Sequence, residues 1–204
     1  MRVKQVHGNV VRVLRRDEAA ATAGHERPHG DAIVSNEPGL VLAVMVADCV
    51  PILLADPRIG AAGAVHAGWR GTCAGVASAA VARLTTEFGT EPGDVIAAIG
   101  PSIGPDDYEV GEPLVEAFRN AGHSPGDITR WFLHRGTALH LDLWSANRDQ
   151  LVAAGVSADR IFIAGLSTLA HPEVFDSFRA EGAQAGRMAA LIRVPSSREL
   201  KVES

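Results

Sequence analysis

The chain has 204 residues, enough for one large domain or two small ones with a full hydrophobic core. Nineteen Lys and Arg against 24 Asp and Glu give a formal charge of −5 without a basic block, which argues against nucleic acid or an anionic membrane as the main partner. Two cysteines cannot build a disulfide framework, the N-terminus lacks the apolar core of a signal peptide, and no apolar stretch reaches the roughly 18 residues of a membrane span, so a cytoplasmic protein is expected.

In chain order, residues 3–14 predict a strand. One face carries Val3, Gln5, His7, Asn9, Val11 and Val13, apolar at both ends and polar in the middle. "RRDEAAATAGHERPHG" reads as a polar, flexible loop ending at Gly30. Residues 31–34 form a short strand and "SNEPG" a turn. Apolar runs of strand length follow at 40–47, 51–55 and 61–66, with "DPRIG" turning between the last two. Residues 72–88 are alanine-rich and helical, and Gly89 suits a C-cap. A buried strand at 95–99 runs into the turn "GPSIGPDD". Helices are expected at 113–120 and 143–154, the second closed by Gly155. Late strands fall at 161–164 and 187–194, and "PSSRELKVES" reads as a frayed tail. Strands dominate the first third and then alternate irregularly with helices, which predicts a single α+β domain with a mixed β-sheet.

The first of the two cysteines sits in "ADCVP", where an unbroken apolar run ends and Asp48 and Cys49 emerge at its tip. A free cysteine is also an ordinary small core residue. Three histidine stretches compete as partners: "QVHG" with His7, "AVHAGWRG" with His66, and "RPHGD" with His29. His66 ends a strand beside a glycine-rich turn, so it is rigidly held and able to face a cleft. If the polar middle of the His7 face is buried, it requires polar partners; if it is exposed, it requires none. Two imidazoles and a thiolate are a sound donor set for zinc, and three protein ligands leave a fourth position open, as in catalytic sites. The separations of 42 and 17 residues are not diagnostic, and spacing alone favours satisfied core or surface histidines. The same donors suit a blue-copper centre with a distant axial methionine. Met45 lies four residues before Cys49, roughly 13 Å along a straight strand, too far for that role. Zinc is therefore preferred, with copper the weaker alternative.

Taken in order, "QVHG", "DAIVSN", "ADCVPILLAD", "AVHAGWRGT", "AAIGPSIGPDDYEVG" and "LDLWSANRDQL" strongly resemble the YfiH-like family. That family is also called laccase-domain, multicopper polyphenol oxidase or peptidoglycan editing factor, and the match runs from Gln5 to about Val194. The resemblance implies a single domain over residues 1–204 and a zinc site made by His7, Cys49 and His66. It also implies zinc-dependent purine nucleoside phosphorylase activity on adenosine, inosine, guanosine or methylthioadenosine, with adenosine deaminase activity. Copper-dependent oxidation of polyphenols and editing of peptidoglycan precursors are the family's other assignments. The expected partners are thus a nucleoside and phosphate.

Within that reading, Cys49, His66 and Asp48 carry the chemistry, and Arg70, Ser102 and Tyr108 bind substrate. Arg70 supplies a planar fork for phosphate, with Gly68 and Gly71 permitting close approach before a helix N-terminus. Deamination needs an activated water, and zinc lowers the pKa of bound water to about 7. Asp48 either orients a ligand histidine, relays a proton, or caps a turn. Tyr108 either stacks on a base or lids the core. Ser102 and the amides near Gly100 and Gly104 could bond a ribose, and Trp69 packs the ligand shell. A Cys–His hydrolase, with Cys49 as nucleophile and His66 or His7 as base, uses the same residues without metal.

Two departures bear on substrate binding. Family members normally carry some dozens of residues before QVHG, whereas four residues precede Gln5 here. Near the C-terminus, Ser167, Phe178 and Ala180 replace the family's cysteine, tyrosine and second arginine, while Arg179 is retained. A chain that binds a nucleotide or a protein without turnover is the remaining reading.

Overall fold

Strand β5 (Ala61–Ala67) is buried at all seven positions, which its small residues permit and which requires cover on both faces. It lies at the centre of a six-stranded mixed sheet ordered β1-β2-β5-β4-β6-β10. The other strands are β1 (Val11–Val13), β2 (Ala32–Ser35), β4 (Val50–Asp56), β6 (Ile96–Ile99) and β10 (Ile161–Ile163). β1–β2 and β6–β10 pair in parallel, and the inner pairs are antiparallel. The computed structural model describes residues 1–15 and 27–195; most of the expected polar loop and the frayed tail lie outside the described residues.

One face of the sheet packs on helices. Val34, Ile52, Leu54 and Val65 form a core with Val76, Ala80 and Leu84 of α2 (Val76–Phe88) and with Leu143, Ala146 and Leu151 of α5 (Leu143–Ala153). The alanines let α2 sit close, and each large apolar side chain buried there contributes about 1.5–3 kcal/mol. The other face is covered by an antiparallel ribbon of β3 (Val41–Val46) and β11 (Met188–Arg193), where Leu42 and Val44 meet Ile33, Ala62 and Ala64. A three-stranded sheet, β7-β9-β8, completes the domain, with β7 at Glu109–Val110, β8 at Phe132–Arg135 and β9 at Ala138–Leu141. The architecture is the single α+β domain with mixed sheet that the sequence predicts.

Three local differences have physical causes. Residues 3–14 are not one strand: only Val11–Val13 pairs, and the chain bends at His7, whose φ is 61°. The polar residues of the expected strand face spend their side chains on backbone groups elsewhere. Gln5 both donates to the Met45 carbonyl and accepts from its amide, at 2.8 and 2.9 Å, and Asn9 donates to the Ala74 carbonyl. The helix expected at 72–88 is two helices, α1 (Trp69–Cys73) and α2, because Gly75 turns left-handed at φ 74°. Beyond α3 (Glu112–Asn120) lies α4 (Pro125–Trp131), announced by a capping box in which Ser124 and Asp127 satisfy each other's amides.

Side chains alternate along β5, so His66 shares the ribbon-facing side with Ala62 and Ala64. Cys49 immediately precedes β4, and the β4 residue Pro51 pairs with His66. The sheet thus delivers a thiol and an imidazole to one end of two adjacent central strands.

Candidate metal centre

His7, Cys49 and His66 come together, with their ligand atoms all within 4.8 Å of one another. They are the only group of three or more such side chains so placed among the described residues. The two imidazole rings meet edge to face, with centroids 4.8 Å apart. His66 is buried, Cys49 half-buried and His7 exposed, so the cluster has a closed back and an open front.

Asp31 assembles this cluster. Its carboxylate is wholly buried and accepts from the amides of Val6, His7 and Gly8 at 2.7–3.1 Å, which fixes the left-handed bend at His7. The same carboxylate lies 2.9 Å from Nδ1 of His66. One acid therefore positions both histidines, leaving Nε2 of His66 for a ligand, in the arrangement that holds metal-bound histidines elsewhere. The sequence reading did not single out Asp31. A signal was available in its place at the start of β2, where a charged residue entering a buried strand needs partners.

Gly68, in "HAGWRG", supplies the space. A Cβ there would stand 2.8 Å from Cys49 Sγ and 3.2 Å from His7 Cδ2. Its backbone is ordinary extended chain (φ −71°, ψ 174°), so the glycine answers to the sulfur and the imidazole, not to strain. A soft thiolate beside two borderline imidazoles, backed by a buried carboxylate, fits a transition metal well.

The electrostatics favour the thiolate form of the sulfur. Burial raises the Cys49 pKa, but hydrogen bonds and charge from His66 and His7 outweigh it and bring the thiol to about 7. Burial lowers the His66 pKa, but Asp31 and Cys49 outweigh it and raise the imidazole to about 9. Without metal, Cys49 and His66 thus form a thiolate–imidazolium pair around neutral pH.

Two cavities meet at the cluster and share His7, Ala47, Cys49 and Phe178 as walls. The smaller, about 270 Å³, contains Trp69, Arg70, Tyr108 and Arg179. Arg70 is exposed and stacks on Trp69 at 4.3 Å, and Arg179 lies 5.0 Å from the Tyr108 ring centroid. Burial pushes the Tyr108 hydroxyl up to about 12, so it is a neutral phenol at physiological pH. The larger cavity, about 550 Å³, adds Gln5, Met45 and four cationic residues.

Two predicted residues have hydrogen-bond partners away from the ligand histidines, although Asp48 also lines the smaller cavity. Asp48 adopts a left-handed φ of 80° and turns its carboxylate to the hydroxyl of Thr168 and the amide of Arg179, at 2.7 and 2.6 Å. It staples the C-terminal segment to the strand tip, while Asp31 contacts the ligand histidine. Ser102 is fully buried and takes a hydrogen bond from Trp144 Nε1 at 2.6 Å; it lines neither cavity at the cluster. The Gly100 and Gly104 amides are likewise engaged, with Pro51 and Ser167.

A family model described as multi-copper polyphenol oxidoreductase laccase matches residues 1–195. A purine nucleoside phosphorylase of Bacteroides thetaiotaomicron is 41% identical over 177 residues, covering 86% of this chain and 65% of the relative. One from Deinococcus radiodurans is 42% identical over 195 residues, covering 95% and 70%. The crystal structure of the Bacillus licheniformis hypothetical protein YfiH superposes with a TM-score of 0.85 at 30% identity, covering 94% of this chain and 73% of that one. The chain thus spans about two thirds of the length of these curated relatives.

The preference for zinc over copper does not stand. It rested on Met45 being out of reach along a straight strand, but the chain turns at Asp48, and Met45 lines the same cavity as His7, Cys49 and His66. The matching family model is itself described by copper, and the His–Cys–His donors suit copper chemistry. By its motifs, its site and its fold, the chain belongs to the YfiH-like family, whose model carries the multi-copper polyphenol oxidoreductase laccase description.

Proposed function

We propose that this chain is a metal-dependent enzyme that cleaves purine nucleosides with phosphate, at a centre held by His7, Cys49 and His66. The observation carrying this reading is that His7 and Cys49 stand on the wall shared by an aromatic cavity and a cationic cavity, while His66, clustered with them, lines the cationic one. The aromatic cavity offers Trp69 and Tyr108 as faces for a flat purine. Both are backed by arginines stacked on them, which fixes the rings in place. Tyr108 stays protonated and can donate to a ring nitrogen or carbonyl. Two relatives over 40% identical are purine nucleoside phosphorylases and a third, at 41%, is an adenosine deaminase, which supports the same substrate class. A bound metal supplies Lewis-acid stabilisation of developing charge.

The test is an assay of purified protein, with its metal content measured, for purine release from adenosine and inosine with and without phosphate. Phosphate-dependent release that is lost in His7→Ala and Cys49→Ala supports the reading. Water-dependent ammonia release from adenosine in the same assay would show deamination at the same centre. Purine release that is absent under every metal loading would overturn the proposal.

One observation favours a second reading. Met45 lines the cavity that His7, Cys49 and His66 also line, which brings together the residue types of a copper redox site, and the family model is described by copper. Copper loading with a thiolate-to-copper absorption band and oxygen uptake on a phenol would support oxidation instead.

A further inference from the structure

The proposed chemistry needs a phosphate but does not by itself say which residues hold it, and the composition of the cationic cavity bears on that. Arg2, Lys4, Arg27 and Arg187 all line it, in a chain of net charge −5, and no acidic residue is among its described walls. Among the described residues, neither Arg2 nor Arg27 has a carboxylate partner. Among the described residues, Arg187 hydrogen-bonds only to the nearby carbonyls of Ala185 and Gly186, and it lies 5.7 Å from the Phe178 ring centroid. Arginines on a surface ordinarily find acids, as Arg58, Arg130 and Arg135 do here. Guanidinium groups gathered around a cavity of about 550 Å³ without acids create a positive potential focused on its floor. That floor is His7, Cys49 and His66.

We infer that the larger cavity is a phosphate subsite, formed by Arg2, Arg27 and Arg187, that presents a phosphate group to the cluster from the side opposite the aromatic cavity. A phosphate dianion with three acceptor oxygens matches planar forks arriving from three chain segments. This inference rests on the proposed phosphorolysis for its direction of attack. With the purine against Trp69 and Tyr108, the sugar carbon reaches the shared wall, and phosphate arrives from behind it. A phosphate oxygen then bonds to C1′ as the C1′–N bond breaks, its electron pair leaves with the purine, and the proton released by hydrogen phosphate ends on the purine. The inference also moves the phosphate away from Arg70, which lies in the other cavity, stacked on Trp69. The bound phosphate has two sources, free inorganic phosphate or the monoester of a purine nucleotide.

The deciding experiment is calorimetric titration of the purified protein with inorganic phosphate, adenosine and adenosine 5′-monophosphate. It is run on wild type, Arg27→Gln/Arg187→Gln and Arg70→Gln; all three arginines are exposed, so these variants fold. The double variant is expected to bind phosphate about tenfold or more weakly, as for loss of charged hydrogen bonds. Its affinity for adenosine is expected to change less than about twofold. Tight phosphate binding without a gain for the monophosphate over adenosine assigns the subsite to free phosphate; a gain that the double variant abolishes assigns it to the monoester. Unchanged phosphate affinity in the double variant, or the same loss in Arg70→Gln instead, overturns the inference. Phosphorolysis that persists with unaltered KM for phosphate in the double variant sinks the subsite while leaving the proposed function standing. Phosphate binding at these arginines without any purine release does the reverse.

Discussion

Oδ1 of Asp31 lies 2.9 Å from Nδ1 of His66, and both side chains are sealed from solvent. The same carboxylate takes the amides of Val6, His7 and Gly8, so it sets the position of one ligand histidine and the ring orientation of the other. Asp31→Asn replaces one acceptor oxygen by an NH₂ that must face an amide N–H or the imidazole. The variant is expected to bind metal about 10–100-fold more weakly, the range for loss of such an orienting partner. A competition titration against a chelator measures it. Wild-type affinity in Asp31→Asn would refute the positioning role.

Gly68→Ala separates space from backbone strain. Its backbone angles suit alanine, but the new methyl would enter within 2.8 Å of Cys49 Sγ. The fold is expected to survive, because the atoms the methyl meets belong to Cys49 and His7 and not to the core side chains. Metal stoichiometry is expected to fall well below that of wild type. Full occupancy in Gly68→Ala would show that the cluster yields easily and is not a rigid site.

How much of this could be read from residues alone varies with the range of the interaction. The unbroken apolar runs of β4 and β5 were legible, since strands covered on both faces have little else to be made of; β3 was legible from the same kind of run although only alternate residues of it are buried. The segment at 3–14 was misread, because its bend depends on Asp31, two dozen residues away, and alternation carries no trace of that bond. The hairpin of β8 and β9 had a local signal in Gly136, which turns at φ 61° between two short runs, and α4 had one in its capping box. His7, Cys49 and His66 were suspected from donor chemistry at strand ends, and their juxtaposition comes from the β4–β5 pairing. Asp48 was assigned by adjacency to Cys49; its carboxylate accepts from the Thr168 hydroxyl and the Arg179 amide, contacts that adjacency does not reveal.

Metal affinity is expected to depend steeply on pH. A metal must displace protons from its ligands. In the metal-free protein the Cys49 thiol deprotonates as pH rises through about 7, and the His66 imidazolium only as it rises through about 9. Binding near neutral pH therefore releases a proton from His66, and apparent affinity climbs from pH 7 to 9. In folding linkage the two groups oppose each other. The depressed thiol stabilises the folded state above its ordinary value of 9.0, an effect lost as pH falls through about 7. The raised imidazolium stabilises below its ordinary 6.5, an effect lost as pH rises through about 9. The two slopes nearly cancel in between, so apo stability is expected to be flat there while metal affinity is not. Iodoacetamide alkylation of Cys49 in chelator-treated protein should titrate with a midpoint near 7; a midpoint near 9 would remove the thiolate–imidazolium pair.

Asp48 distinguishes a structural staple from a proton relay. Its two oxygens bind the Thr168 hydroxyl and the Arg179 amide, and its backbone carbonyl accepts from Ile103. Arg179 in turn stacks on Tyr108 and donates to the Glu109 carbonyl, so the wall of the aromatic cavity hangs from this carboxylate. Asp48→Ala leaves a buried hydroxyl and an amide without their acceptor and keeps an unfavourable left-handed backbone. The expected cost is about 1–3 kcal/mol of stability, from the loss of charged hydrogen bonds. Metal stoichiometry should stay at the wild-type value, since Asp48 is not among the clustered donors. Asp48→Asn keeps one oxygen for Thr168 and tolerates the same backbone, so it should recover part of the stability. Denaturant unfolding and metal analysis on the three proteins decide the matter. If Asp48→Ala and Asp48→Asn are both as stable as wild type but equally inactive at full metal loading, the carboxylate moves a proton and the staple is incidental.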